Sequence, residues 1–359
     1  MRGVRRRAVD EQGLTAVVEF LSAFTLFLMI TTAFLTLATI QLGPNDPSVD
    51  RMDRAAHQGL DRLTDGPGWF IPVVDGQRDP SNATTAWHER SADELASGKV
   101  QAGLVQDDSI DPARVAALRN LTERSLAIGL GLPDGTSLHL SILVESSPDA
   151  SRVGTVIFED GTDRSSARVS SMASARFALG DERVRVTLET HDGAAYQPTL
   201  LITEIMTRPF NGAPEWIELS NPGGFGVSLE GWGIEHQPSS EGALRTALLR
   251  TGVLPGNGTA LLTGSSTAQS EGGADLVIDI GSTGLLGIGS LDGLDDAEGV
   301  IRLTYAEPGA SLGSSKGRFS WPIEDIGRTG RGETYVLIGE RVSDEGAWSV
   351  STTPTPGLR

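Results

Sequence analysis

Residues 200–236 read LLITEIMTRPFNGAPEWIELSNPGGFGVSLEGWGIEH. On an extended chain alternate side chains point to opposite faces, so Ile217 and Leu219 go one way and Trp216 and Glu218 the other. Asn221-Pro222-Gly223-Gly224 follows as a turn with tolerance for positive φ. Leu229 and Trp232 then supply apolar plugs for the next edge. Short runs of the same β character recur at Thr259–Leu262, Leu276–Ile280, Val300–Tyr305 and Tyr335–Ile338. The expected fold of residues 198–359 is therefore all-β.

The order Glu204-Ile205, then Glu215-Trp216-Ile217-Glu218-Leu219-Ser220-Asn221, then Leu229 and Gly231-Trp232, resembles the lamin-tail domain. The end of the segment agrees with that family too, with Trp348 and then Ser351-Thr352-Thr353-Pro354-Thr355-Pro356-Gly357. The resemblance implies an immunoglobulin-like β-sandwich with a binding or scaffolding role and no catalytic constellation. Its signature residues here are Glu204, Trp216, Glu218, Leu219, Asn221, Leu229, Trp232, Pro354, Pro356 and Gly357, and they are expected to hold the fold. The PTPG segment is expected as an extended clasp, since proline cannot donate to a ladder and suits an edge.

Upstream, residues 43–197 read as an α+β module, helices first and strands after. GPNDP (43–47) breaks the preceding helix. A second helix follows, with Val49, Met52, Ala56, Leu60 and Leu63 on one face and Asp50, Arg51, Asp53, Arg54, Asp61 and Arg62 on the other. It stops at Gly66-Pro67-Gly68, and residues 69–98 read as loop. Asp111-Pro112 opens the next helix as N-cap and first-turn proline. That helix carries Val115, Leu118, Leu121 and Leu126 and ends near Gly129–Gly135. Four antiparallel strands are expected from Leu138 to Val144, Val153 to Phe158, Val169 to Leu179 and Val184 to Leu188. The short linker His191–Pro198 predicts a fixed pairing of the two modules.

Residues 14–42 run apolar with Glu19 as the one charge, behind a basic head (1–13) with Arg2, Arg5, Arg6 and Arg7. About 20 such residues suffice to cross a hydrocarbon core of roughly 30 Å, and the run lacks the short core and small-residue exit of a cleaved secretory signal. The basic side is expected in the cytoplasm and the bulk of the chain outside. Gly13 at the boundary, Leu14 after it and Glu19 just inside resemble the processing signal of type IV pilins. A cut after Gly13 puts Glu19 sixth, where that family usually has glutamate fifth. Glu19 either reaches the interface from near the end of the span or pairs with a neighbouring subunit's amino terminus. Together with a DRL…GPGW helix end and SIDPARVAALRNLTERSLAIGLGLPDG (109–135), the first 192 residues are similar to euryarchaeal pilin-like proteins.

The whole chain carries a formal charge of −18 and has no cysteine. A field of that sign repels nucleic-acid backbones and counts against them as partners. The absence of thiols excludes disulfides and thiolate chemistry. No two of the histidines (57, 88, 139, 191, 236) stand at metal-ligand spacing, and His139 reads as a solvent-face strand residue. Gly281–Gly293 lacks the strand–turn–helix setting of a phosphate loop. Asp292, Asp295, Asp296 and Glu298 form either a Ca²⁺ site or an acidic turn; their spacing is not that of an EF-hand. Asn82, Asn120 and Asn257 head three glycosylation sequons. These readings predict a non-enzymatic, single-pass surface protein without a cofactor, its tail module binding a surface partner or polymer. The alternative is a minor pilin-like subunit of a pilus or secretion assembly.

Overall fold

The computed structural model describes residues 4–41, 47–210, 212–239, 242–265, 273–288, 293–306, 314–324, 326–338 and 348–357. The side chains of 4–14, 38–41, 47 and 48 are outside that description, as is the chain at 42–46 where the GPNDP break falls.

Helix α1 (Val4–Gln41) contains one apolar span, Thr15–Leu37, of 23 residues with mean hydropathy 2.0 and none of it buried. At 1.5 Å per residue it is about 35 Å long, enough to cross a membrane. Thr25 and Thr36 turn their hydroxyls back onto the carbonyls of Leu21 and Thr32 (2.6 and 2.8 Å), so these polar side chains add no unmet donor to the span. Phe20 and Phe24 stack at 6.2 Å along one side of the helix.

Residues 52–359 make a second compact unit that is mostly β-sheet. Helix α2 (Pro47–Thr64) enters it with Met52, Ala56, Leu60 and Leu63 buried and the charged residues of its other face exposed, while Val49 is exposed. The segment 69–98 is not a loop. Gly68–Ile71 pairs antiparallel with Lys99–Ala102, and α3 (Ala92–Ser97) starts with a reciprocal capping box between Ser91 and Glu94. Trp87, which carries no periodic signal, is fully buried and donates from its indole to the Pro67 carbonyl at 2.9 Å.

The helix expected from Asp111 to Gly129 is also interrupted. Asp111 caps α4 (Pro112–Ala117), a 3-10 turn covers Leu118–Asn120, and Thr122 caps α5 (Glu123–Gly129). Leu121 between them is extended, with φ −96 and ψ 139.

These helices pack on a six-stranded sheet whose four long strands run in the order Val169–Leu179, Glu182–Asp192, Thr136–Ser146 and Val156–Gly161, all antiparallel. Leu138, Leu140, Ile142 and Val144 face inward together with Val184, Val186 and Leu188. His139 points the other way, half-buried, with Nε2 3.4 Å from Glu159.

Beyond residue 200 a second six-stranded sheet places Leu201–Met206 beside Trp216–Ser220 and Thr334–Leu337, with Trp348–Ser351 at one edge and Leu276–Asp279 at the other. A four-stranded sheet orders Arg245–Leu248, Trp232–Gln237, Gly299–Tyr305 and Ser314–Trp321. One core takes Ile205, Ile217 and Leu262 from the first and Trp232, Ile301 and Phe319 from the second. The arrangement is compatible with a β-sandwich.

Candidate functional site

A network of polar contacts lies where the sheet of residues 136–192 meets the loops of the second core. Asp160, near the end of its strand, accepts hydrogen bonds from the backbone N–H of Phe225 at 2.6 Å, of Gly161 at 2.7 Å and from the Tyr196 hydroxyl at 3.3 Å. Phe225 is fully buried and belongs to the first core, its ring edge-on to Phe158 at 5.1 Å. Around it the Gly226 N–H donates to Leu121 (2.8 Å), Gly256 N–H to Arg119 (2.7 Å) and Val253 N–H to the Asp93 carboxylate (2.8 Å). Arg119 closes the ring with Asp275 at 2.9 Å.

Asn221 is the organiser on the second-core side. Its buried amide nitrogen donates toward the carbonyls of Phe225, Leu254 and Pro255 (2.8, 3.2 and 2.9 Å), and its oxygen accepts from Gly223 N–H at 3.0 Å. The glycines here are required by close approach. Neither Gly223 nor Gly224 has positive φ, contrary to the turn expected, but a Cβ on Gly256 would stand 1.9 Å from the Gly224 carbonyl oxygen. A cleft of about 530 Å³ opens beside the junction, lined by Asp160, Thr162, Asp163, Tyr196, Asn221 and Gly223 among others. Thr162 is buried with a hydroxyl that has no partner among the described residues, and the wall offers carboxylates, hydroxyls and amides suited to hydrogen bonding.

Two ionisable groups at the junction are shifted by burial. Glu123 sits under the sheet with its carboxylate on the Leu138 N–H at 2.7 Å; burial raises its pKa to about 7, against that bond, and the Asp160 charge adds to the rise. Burial and the neighbouring Asp160 likewise push the Tyr196 phenol well up.

The second polar cluster is built from the signature residues. Glu204 and Glu218 stand directly opposite one another on adjacent strands, each 2% exposed. Like charges in that register repel, yet each carboxylate is given donors. Glu204 takes the Thr334 hydroxyl at 2.6 Å and the Thr355 N–H and hydroxyl at 3.1 and 3.0 Å. Glu218 takes the Gly357 N–H at 2.6 Å and the Thr203 hydroxyl. Pro354, Thr355, Pro356 and Gly357 thus strap the sheet face opposite the core, which also holds Trp216 against Met206 and Leu261. Gly357 has φ +76, and a Cβ there would meet Ala274 N at 2.0 Å. Leu219, Leu229 and Trp232 are buried in the core, Trp232 against Tyr305 at 4.9 Å.

The other sequence candidates are scattered. Gly13 and Leu14 lie within α1, and Glu19 is exposed on it. Asp292 is outside the described residues. Asp295 accepts from Ala297 N–H at 2.6 Å, Asp296 lies 3.5 Å from Arg208, and Glu298 is exposed, so the described part of this run forms a turn. Among the described residues no cluster of three or more acidic, histidine or cysteine side chains is arranged to hold a metal. Asn82 donates to Asp79 at 2.8 Å from a 3-10 turn, Asn120 to the Arg90 carbonyl at 3.2 Å, and Asn257 is exposed.

Two buried groups have a structural setting of their own. Glu215 accepts from the N–H groups of Gly287 and Leu294 (2.9 and 2.8 Å), and burial lifts its pKa to about 8. His236 stacks on Trp321 at 5.5 Å, and burial, reinforced by Arg245, lowers its pKa to about 4, so the ring is neutral.

No protein-family model matches the chain, and no curated protein matches it. Asp160, Tyr196 and Glu123 were not marked by any local pattern. The one available signal was Tyr196, a rare aromatic in a chain with three tyrosines, placed in a linker where an exposed ring would gain nothing.

Proposed function

We propose that this is a membrane-tethered, non-enzymatic display protein. The Arg-rich head lies in the cytoplasm, α1 crosses the membrane, and the compact unit stands outside as a pilin-like α+β module carrying a lamin-tail-type sandwich. The observation that carries the reading is the exposed 23-residue apolar span preceding a separate compact unit. The role of the outer unit is to hold a binding surface rigidly for a surface protein or polymer. The junction supports that role, because its polar groups are bonded to one another across it, and the cleft beside it offers a place for a hydrogen-bonding ligand. The acidic surface disfavours nucleic acid.

A second reading, assembly as a minor pilin-like subunit, draws on Glu19, a carboxylate exposed on the span that costs about 2.5–3.5 kcal/mol at a bilayer centre if left unpaired. The test is carried out on protein extracted from its native membrane. Intact mass and terminal sequencing give the mature start, and protease treatment of whole cells gives the side of the membrane. A chain beginning near Met1 with its carboxyl-terminal half digested from outside is expected. A start at Leu14 moves the pilin-like assembly role to the front, and a protected carboxyl-terminal half overturns both readings.

A further inference from the structure

In sequence Asn257, after Pro255-Gly256, reads as the most exposed loop of the three sequons and Asn120 as a helix position; the folded chain separates them further. The Asn120 nitrogen is half-buried and committed to the Arg90 carbonyl at 3.2 Å, at the interruption between α4 and α5. Asn82 closes a tight knot in which the Asp79 carboxylate takes both its amide (2.8 Å) and the Ser81 hydroxyl (2.5 Å). Asn82 and Asn257 are both exposed, and of the two it is Asn257 whose carboxamide makes no hydrogen bond among the described residues. Its backbone is held in place by donation from its N–H to Gly223 at 2.9 Å, at φ 55, a left-handed conformation that asparagine tolerates. The loop is therefore firm while the side chain is available.

From this we infer that Asn257 is the N-glycosylation site of the outer unit, and that the glycan stands at the rim of the junction between the two cores. The inference rests on the outward location proposed above. The donor is a lipid-phosphate-linked oligosaccharide. A bond forms between Asn257 Nδ2 and the anomeric carbon, the bond from that carbon to the phosphate oxygen breaks, the lipid phosphate leaves, and one amide proton passes to solvent. No oxidation is involved. Thr259, the third residue of the sequon, is 6% exposed at the start of its strand. Transfer therefore precedes the pairing of that strand, and the folded chain then has to carry the sugar without disturbance. Asn257 satisfies that condition, and Asn120 does not, because its half-buried nitrogen is already bonded.

The experiment is glycopeptide mass spectrometry on the full chain extracted from its native membrane, covering all three sequons, alongside whole-cell protease treatment to establish location independently. The expected result is a mass increment in hexose-type units on the Asn257 peptide, with the Asn120 peptide bare. Asn257→Gln and Thr259→Val are each expected to abolish the increment and Thr259→Ser to retain it; Asn257→Gln, on the exposed loop, reads the modification even where Thr259→Val disturbs the strand. A bare Asn257 in protein shown to face outward overturns the inference and leaves the location standing. Modification carried by Asn120 with Asn257 bare overturns it as well. Protection of the outer unit in whole cells overturns both the location and the inference.

Discussion

Asp160 turns one carboxylate into the pivot of a junction, receiving a backbone donor from a residue 65 positions later and a phenol 36 positions later. Charge-assisted bonds of this kind contribute about 1.5–3 kcal/mol, and Asp160→Ala also strands the N–H of buried Phe225. Loss of roughly 2–3 kcal/mol in denaturant unfolding is expected; a loss under 0.5 would mean that the pivot is elsewhere. The pH dependence has a definite sign. Glu123 and Glu215 keep their protons in the folded state up to about 7 and about 8, whereas a free carboxyl releases its proton near 4.5. The folded state therefore holds more protons across that interval, and stability is full below about 4.5 and lost as pH rises through 7 and then 8. Buried His236, held neutral down to about 4, works in the opposite direction below 6.5, so thermal midpoints should fall from pH 6.5 to 8.5, and Glu215→Gln should flatten the upper part of the fall. Glu204 and Glu218 were visible as a motif, but the reason for them was not, because their donors come from 151 and 139 residues away.

At the scale of elements, local pattern located the four long strands of the first sheet, the central strands of the second six-stranded sheet and both faces of α2, since burial there follows a simple period. It missed the interruption after Ala117 because Leu118, Leu121 and Leu126 suit a continuous helix and are all buried. The chain leaves the helix so that Leu121 can offer its carbonyl to Gly226, and Thr122 restarts it by accepting from Ser125 N–H at 3.1 Å. Thr122→Ala should cost about 1 kcal/mol, measured by chemical denaturation, with Thr122→Ser close to neutral. The stretch 69–98 read as loop because its order comes from a single buried tryptophan and paired short strands. The carboxyl-terminal strap makes the sharpest prediction. Gly357→Ala combines a left-handed φ with a collision, so it should free the segment after Trp348, and limited proteolysis should trim it. An untrimmed variant would show that Pro354 and Thr355 suffice.

For the compact unit as a whole, the two cores are joined by an aromatic ring that belongs to one and a loop that belongs to the other. Unfolding of the detergent-extracted chain should therefore give one calorimetric transition from residues 52–359. Gly256→Val, which forces apart the approach to Gly224, should split it into two or broaden it. Two transitions in the unaltered chain would show that the bonds around Phe225 do not couple the cores. The junction was legible only as a short linker, because its bonds join residues far apart in sequence and leave no periodic trace.

That shared ring has a consequence for the order in which the chain can be made. A polypeptide delivered from its amino end exposes residues 52–192 first, but their core stays open until Phe225 has emerged to fill it. The second core waits longer, since Glu204 and Glu218 face each other without their strap until Gly357 arrives. Each stage of emergence thus ends with a partly built layer whose missing piece is still upstream in the synthetic machinery. Interrupted translation products should accordingly be protease-sensitive, and a nascent-chain series stopped before and after residue 225 would register the first gain in protease resistance there.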